Sequence, residues 1–270
     1  MPEYTPTVLT IAGSDPYGGA GIQVDTKVIH ALDGYAFSVI TALTAQNSTG
    51  VKSIWATPTD IVKSQLETIL DDIEVDAVKI GMLANAETVE VVVKYIQKYK
   101  LKNIVLDTVL VSSSGTQLLE KNAIELMVKE LFPLVDMITP NIPEVNTLLG
   151  TDYVGDENEI ECMAKGLFDL GAKAVLIKGG HSMDSSHATD YLAMSDIPIR
   201  SFSSLRIDTN HTHGTGCVLS SAIASSLAQG IGLEKSIQSA KAFLYRKLAM
   251  ASNLEFNYIH KNATRREPLI

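Results

Sequence analysis

The sequence predicts an α/β fold of three layers, with a mostly parallel central sheet covered by helices on both faces and a small β hairpin at the sheet edge. Three observations carry that expectation. Short apolar β-type runs alternate with helical patterns of about 10–15 residues, the signature of strand–helix–strand units. After residue 177 the β runs become weaker and more polar, as an edge hairpin requires. The chain has 270 residues, 46% of them hydrophobic and 20% charged, which suits one large core in an ordinary globular protein.

In chain order, residues 8–12 read as a strand, 21–32 as a helix and 37–40 as a strand. Residues 59–70 are helical, because Ile61, Val62, Leu66, Ile69 and Leu70 share one face. Strands at 77–80, 103–106 and 136–139 alternate with helices at 85–99 and 120–131. Helices at 143–149 and 157–170 lead to the last strong buried strand, 174–177. Residues 189–194 and 197–202 form the hairpin about a turn at Ser195-Asp196. Two helices close the fold, 214–229 and 233–251; in the second, Leu233, Ile237, Ala240, Phe243, Leu244 and Leu248 recur at helical spacing and read as core. Cys162, in an ordinary amphipathic helix, is expected in the core too. With no internal repeat or linker, residues 1–270 are expected to form a single domain, with 252–270 a polar tail.

Composition narrows the partners. Twenty-two Lys and Arg against 31 Asp and Glu give a net charge of −9, which offers no footprint for a nucleic acid. Two cysteines and the absence of a basic, then apolar, beginning point to the reducing cytoplasm. No apolar run approaches the roughly 18 residues of a membrane span.

Ligands of an open parallel sheet bind outside the carboxyl ends of its strands. Here those ends are small and polar: Gly13-Ser14-Asp15, Thr44-Ala45-Gln46-Asn47, Gly81-Met82, Asp107-Thr108-Val109, Pro140-Asn141 and Lys178-Gly179-Gly180. Six together indicate a cleft. The most specific segment is His213-Gly214-Thr215-Gly216-Cys217 ahead of a helix. Gly-x-Gly at a helix start can turn amide N–H groups outward with the helix dipole behind them, making a hole for an anion. It can equally be a simple way into a helix. Its spacing is not that of a Walker A loop, and Gly18-Gly19-Ala20-Gly21 lacks the dinucleotide spacing. Cys217, in the first turn, is either a thiol activated by the dipole or a small core residue. His211 and His213 with Cys217 match no common zinc pattern. Asp15, Asp25, Asp107 and Glu144 suit a hard, oxygen-ligated ion better.

Ala12-Gly13-Ser14-Asp15-Pro16 with Gly18-Gly19-Ala20-Gly21-Ile22-Gln23 and Asp25, then Thr41-Ala42-Leu43-Thr44-Ala45-Gln46-Asn47, Lys79-Ile80-Gly81-Met82-Leu83, Leu106-Asp107-Thr108-Val109, Ile138-Thr139-Pro140-Asn141-Ile142-Pro143-Glu144, Leu176-Ile177-Lys178-Gly179-Gly180-His181 and Asn210-His211-Thr212-His213-Gly214-Thr215-Gly216-Cys217 resemble the hydroxymethylpyrimidine/phosphomethylpyrimidine kinases of thiamine biosynthesis. The likeness spans about residues 8–251 and implies a ribokinase-like fold. It implies two phosphorylations that use ATP and magnesium, a small-molecule substrate and a homodimer. Asp25 and Gln46 then look like polar contacts to the pyrimidine, with Gly13, Met82 and Val109 lining the slot. Asp107 and Glu144 look like the magnesium neighbourhood, and Lys178, Asn141 and Thr215 like contacts to ATP and its phosphates. Gly214, Thr215, Gly216 and Cys217 look like the catalytic anion hole, Cys217 standing where related kinases carry the proton-accepting aspartate. The chain departs from the family at Ser113, where a lysine is usual, and lacks the usual glycine-rich close. Rival readings are a pyridoxal/pyridoxine kinase, a non-catalytic vitamin-binding protein and a thiol hydrolase using Cys217 with His211 or His213.

Overall fold

Successive residues of each parallel strand point to opposite faces of one sheet, and this two-residue alternation sorts the interior into two cores. The computed structural model describes residues 4–111, 115, 117–181, 186–195 and 197–251. Its strands are β1 (Thr7–Ser14), β2 (Tyr35–Asn47), β3 (Gly50–Ala56), β4 (Ala77–Ile80), β5 (Ile104–Leu106), β6 (Met137–Ile138), β7 (Ala174–Ile177), β8 (His187–Met194) and β9 (Ile197–Leu205). They lie in the order β3-β2-β1-β4-β5-β6-β7-β8-β9. Pairing is parallel from β2 through β7 and antiparallel at both ends, where β3 joins β2 and the β8–β9 hairpin joins β7.

The helices are α1 (Gly21–Ala31), α2 (Thr59–Leu70), α3 (Ala86–Tyr99), α4 (Lys121–Leu126), α5 (Ile142–Leu149), α6 (Ile160–Asp169), α7 (Thr215–Ala228) and α8 (Leu233–Ala251). Leu9, Ile11, Val78, Ile80, Ile104, Leu106 and Val175 face α2 to α6 in the larger core. Val8, Ala77, Val105, Met137 and Leu176 face α1, α7 and α8 in the second. Helix α2 buries Val62, Leu66 and Leu70 at four-residue intervals. Helix α3 starts where Asn85 accepts the Thr88 N–H, and α5 starts with a capping box between Asn141 and Glu144. Helix α7 is buried all round from Val218 to Ser226, and its small side chains let it lie close against the sheet and α1.

Three expectations are corrected. β2 runs on to Asn47 and folds back as β3, a half-exposed ribbon whose residues alternate too weakly in hydrophobicity to announce it. The helix expected over 120–131 is α only to Leu126 and continues as a π turn, Met127–Leu131, just before Pro133. Cys162 is exposed, because Ile160, Met163, Ala164 and Leu167 form the buried stripe of α6 and position 162 falls off it. Asp196, Ser113 and the tail 252–270 lie outside the described residues. Among the described residues no helix is long and apolar enough to cross a membrane.

Candidate active site

The chain leaves β1 toward β2 on one side and returns to pair β4 on the other, so a crevice opens at the carboxyl ends of these neighbours. A cavity of about 770 Å³ occupies it, within the usual range for small-molecule sites. All six strand ends named above reach its wall, through Gly13, Ser14 and Asp15; Gln46 and Asn47; Met82; Asp107 and Val109; Asn141 and Glu144; and Lys178. The start of α7 contributes Gly214, Thr215, Gly216 and Cys217.

At one end the cleft is shaped for an anion. Gly214 has φ 84°, and a Cβ there would collide with the carbonyl oxygen of Gly19, so two glycine-rich segments meet on bare backbone. A Cβ on Gly216 would stand 3.4 Å from both Lys178 Nζ and Asp107 Oδ2, which shows how directly the first turn of α7 faces these charges. Lys178 Nζ donates to Asp107 Oδ1 at 2.8 Å and lies 4.0 Å from Glu144 Oε2. Burial disfavours the Lys178 charge, yet Asp107 and Glu144 outweigh it and hold the ammonium up to about 12. Burial works against the Asp107 carboxylate too, but the charges of Lys178 and Lys79 keep its pKa below the ordinary value. Glu144 goes the other way: burial, aided by Asp107 and opposed by Lys178, pushes it up to about 7. Its Oε2 accepts the Asn141 N–H at 2.8 Å and the Thr108 hydroxyl at 3.2 Å. Asn141 Oδ1 in turn accepts the Glu144 N–H, so the NH₂ end of that amide is what Asn141 can offer a ligand.

One expected placement changes, and one expected pKa direction reverses. Asp25, expected at the pyrimidine, is fully buried and does not reach the cavity wall. Both its oxygens accept from Lys79 Nζ, at 2.9 and 2.8 Å, and it also takes the Thr10 hydroxyl at 2.6 Å and the Ser221 hydroxyl at 2.7 Å. Alternation explains this: Thr10 and Lys79 point to the α1–α7 side of the sheet, and Asp25 stands on the inward face of α1 with Ile22 and Ile29. The ion pair is thus a plug in the second core, with Lys79 reaching the cavity floor. Cys217 lines the cavity, but its thiol is not activated by the helix start: burial pushes it up to about 11, with Asp25 and Asp107 adding to the rise and Lys79 opposing it.

Gly13, Gln46, Met82, Val109 and His213 line the same cavity. His213 Nε2 lies 2.9 Å from Asp15 Oδ2 and 3.1 Å from Gln46 Nε2. Lys79 and His213 are the site residues that sequence reasoning missed. A lysine inside a four-residue strand buried on both faces was the signal for the first, because such a charge needs a buried carboxylate.

A family model described as phosphomethylpyrimidine kinase matches residues 15–263. The chain is 43% identical over 247 residues, 92% of each chain, to the hydroxymethylpyrimidine/phosphomethylpyrimidine kinase of Salmonella typhimurium. The crystal structure of phosphomethylpyrimidine kinase from Clostridium difficile 630 superposes with a TM-score of 0.79 at 38% identity, covering 90% of this chain and 99% of that one. The pyridoxal kinase of Staphylococcus aureus in complex with AMP-PCP superposes with a TM-score of 0.85 at 28% identity, covering 98% and 93%.

Proposed function

The chain belongs to the phosphomethylpyrimidine kinase family, and we propose that it transfers the terminal phosphoryl group of ATP to 4-amino-5-hydroxymethyl-2-methylpyrimidine, and then to the resulting monophosphate, in thiamine biosynthesis. The observation that carries this reading is the convergence in one cleft of the α7 start, Lys178, two carboxylates and Gln46. Phosphoryl transfer needs in-line positioning and stabilisation of moving charge more than covalent help. The amides of Gly216 and Cys217 and the Lys178 ammonium supply the stabilisation, while Gln46, Met82 and Val109 hold the ring so that its hydroxymethyl group meets the anion hole. Asn141 and Thr215 are assigned to the nucleotide phosphates.

Magnesium fits the donor set, since Asp107 and Glu144 offer hard oxygens of the kind that hold this ion together with phosphates and water. When bound it would neutralise phosphate charge. Cys217 is assigned to receive the substrate hydroxyl proton; because its thiol is protonated at neutral pH, this assistance grows as the pH rises toward 11. A single catalytic domain, the cytoplasm and a homodimer complete the reading. Exposed Leu43 and Trp55, paired across the β2–β3 ribbon, favour the dimer, and sedimentation checks it.

The test is steady-state ADP release with the hydroxymethylpyrimidine and with pyridoxal as acceptors. The reading expects a kcat/KM at least tenfold higher for the pyrimidine. The reverse preference would make the enzyme a pyridoxal kinase, the activity of the S. aureus neighbour, and release without either acceptor would remove both readings.

A further inference from the structure

The hydrogen atoms around Gln46 do not balance if its side-chain amide turns Nε2 toward His213 and Oε1 toward Thr44. Asp15 is an acceptor already committed to the chain around it: Oδ1 takes the Tyr17 N–H at 2.9 Å, and Oδ2 takes the N–H groups of Gly19 at 3.0 Å and Ala20 at 2.9 Å. Burial disfavours its charge, but His213 and these amides keep it ionised. An ionised carboxylate 2.9 Å from His213 Nε2 requires a hydrogen on that nitrogen. The same nitrogen lies 3.1 Å from Gln46 Nε2, so an N–H would face an NH₂ group, donor against donor.

The opposite end of the amide has a matching conflict. The Thr44 hydroxyl has one hydrogen, and the Ser14 carbonyl oxygen claims it at 3.0 Å. Gln46 Oε1 lies 3.4 Å from the same hydroxyl and would need that hydrogen too. Turning the amide by half a rotation removes both conflicts at once. Oε1 then shares the His213 Nε2–H with Asp15, and the NH₂ group donates to Thr44 Oγ1, whose own hydrogen stays on Ser14. Oxygen and nitrogen of an amide have nearly the same shape, so the bonding network decides between the two orientations.

We propose that Asp15 and His213 form a positioning pair that fixes the Gln46 amide with Oε1 toward His213 and Nε2 toward Thr44, and thereby sets which ring edge the cleft can read. Rotation of the amide is the freedom that would otherwise let one glutamine serve opposite ligand edges. An amino group beside a ring nitrogen presents donor then acceptor. An oxo group beside a ring N–H presents acceptor then donor. An amide held in one order pairs with only one of these for a given placement of the ring. Asp15 and His213 are 198 residues apart in sequence, and the pair also joins the 15–20 loop to the start of α7, so the ring-reading wall and the anion hole are held as one unit.

This specificity role rests on the reading that Gln46 faces the pyrimidine, whereas the hydrogen placement does not, so the two are tested separately. In ligand-free, ¹⁵N-labelled protein at pH 8, long-range ¹H–¹⁵N spectra are expected to show His213 protonated on Nε2, its signals identified by their loss in His213→Phe. A bare Nε2 with the proton on Nδ1 would overturn the proposal whatever the enzyme phosphorylates. For specificity, His213→Phe keeps a ring against Gly19 and Tyr17 but removes the donor. Its preference for the 4-aminopyrimidine over the 4-oxo analogue is expected to fall about tenfold, the worth of one hydrogen bond, through a higher KM with kcat within about threefold. A folded variant with undiminished preference would also overturn it. A purely structural role for His213 would lower the melting temperature without moving that ratio.

Discussion

Replacing Asp25 with alanine separates a buried structural ion pair from a ligand contact. Asp25 and Lys79 side chains are both completely buried, and the carboxylate takes two contacts from the ammonium and one from each of two hydroxyls. Removing one member of such a pair leaves an uncompensated charge and costs about 3–5 kcal/mol. Unfolding entropy of about 2.1 cal/mol/K per residue over a chain of this length converts that loss into a fall in Tm of about 5–9 °C. Thermal and urea melts read it directly. Combining Asp25→Asn with Lys79→Met is expected to recover most of the loss, because no buried charge remains and the amide can accept from one of the Thr10 and Ser221 hydroxyls and donate to the other. If Asp25→Ala melts within about 1 kcal/mol of the parent while KM for the pyrimidine rises more than tenfold, the carboxylate touches ligand and the buried-pair account is wrong.

Gly216→Ala is expected to leave stability unchanged or raise it by up to about 1 kcal/mol, since alanine is the better helix former, while kcat falls by roughly 100-fold as the new methyl lies against Lys178 and Asp107 and takes up room in the anion hole; equal turnover would move the phosphoryl site elsewhere. Iodoacetamide at pH 8 is expected to alkylate exposed Cys162 well before Cys217, whose thiol is held protonated by a pKa of about 11, and peptide mass mapping reads the order. Glu144 carries a pH signature in the ligand-free protein. Its pKa is raised on folding from 4.5 to about 7, so the folded state binds the extra proton. The resulting stability is complete below pH 4.5 and is lost as pH rises through about 7. Glu144→Gln is expected to remove that decline from urea midpoints measured between pH 4 and 8, and parallel profiles for the two proteins would contradict the assignment.

The layered fold was legible because strands buried on both faces are nearly pure apolar runs, and the two cores fall out of their alternation. The cleft was legible for a related reason: polar and glycine residues follow those runs at every carboxyl end, and Gly214-Thr215-Gly216-Cys217 marks a helix start. What stayed hidden depends on partners far apart in sequence. Asp25 reads as a site carboxylate until Lys79 is placed opposite it, 54 residues on. His213 has no place in the main sequence reading until Asp15 and Gln46 close around it. Dipole reasoning alone lowers the Cys217 thiol, whereas burial beside Asp25 and Asp107 raises it. The β3 strand escaped because its ribbon is solvated on much of both faces and carries no strong period.

The central claim is that this cleft carries a phosphoryl group from ATP to a pyrimidine hydroxymethyl group and then to the monophosphate. Following the purified protein with ATP, magnesium and the hydroxymethylpyrimidine by ³¹P NMR tests it most directly. The account predicts a phosphomonoester signal that appears first and is then replaced by the paired signals of a diphosphate, both absent when the acceptor is omitted. ADP and inorganic phosphate as the only new phosphorus products would contradict it.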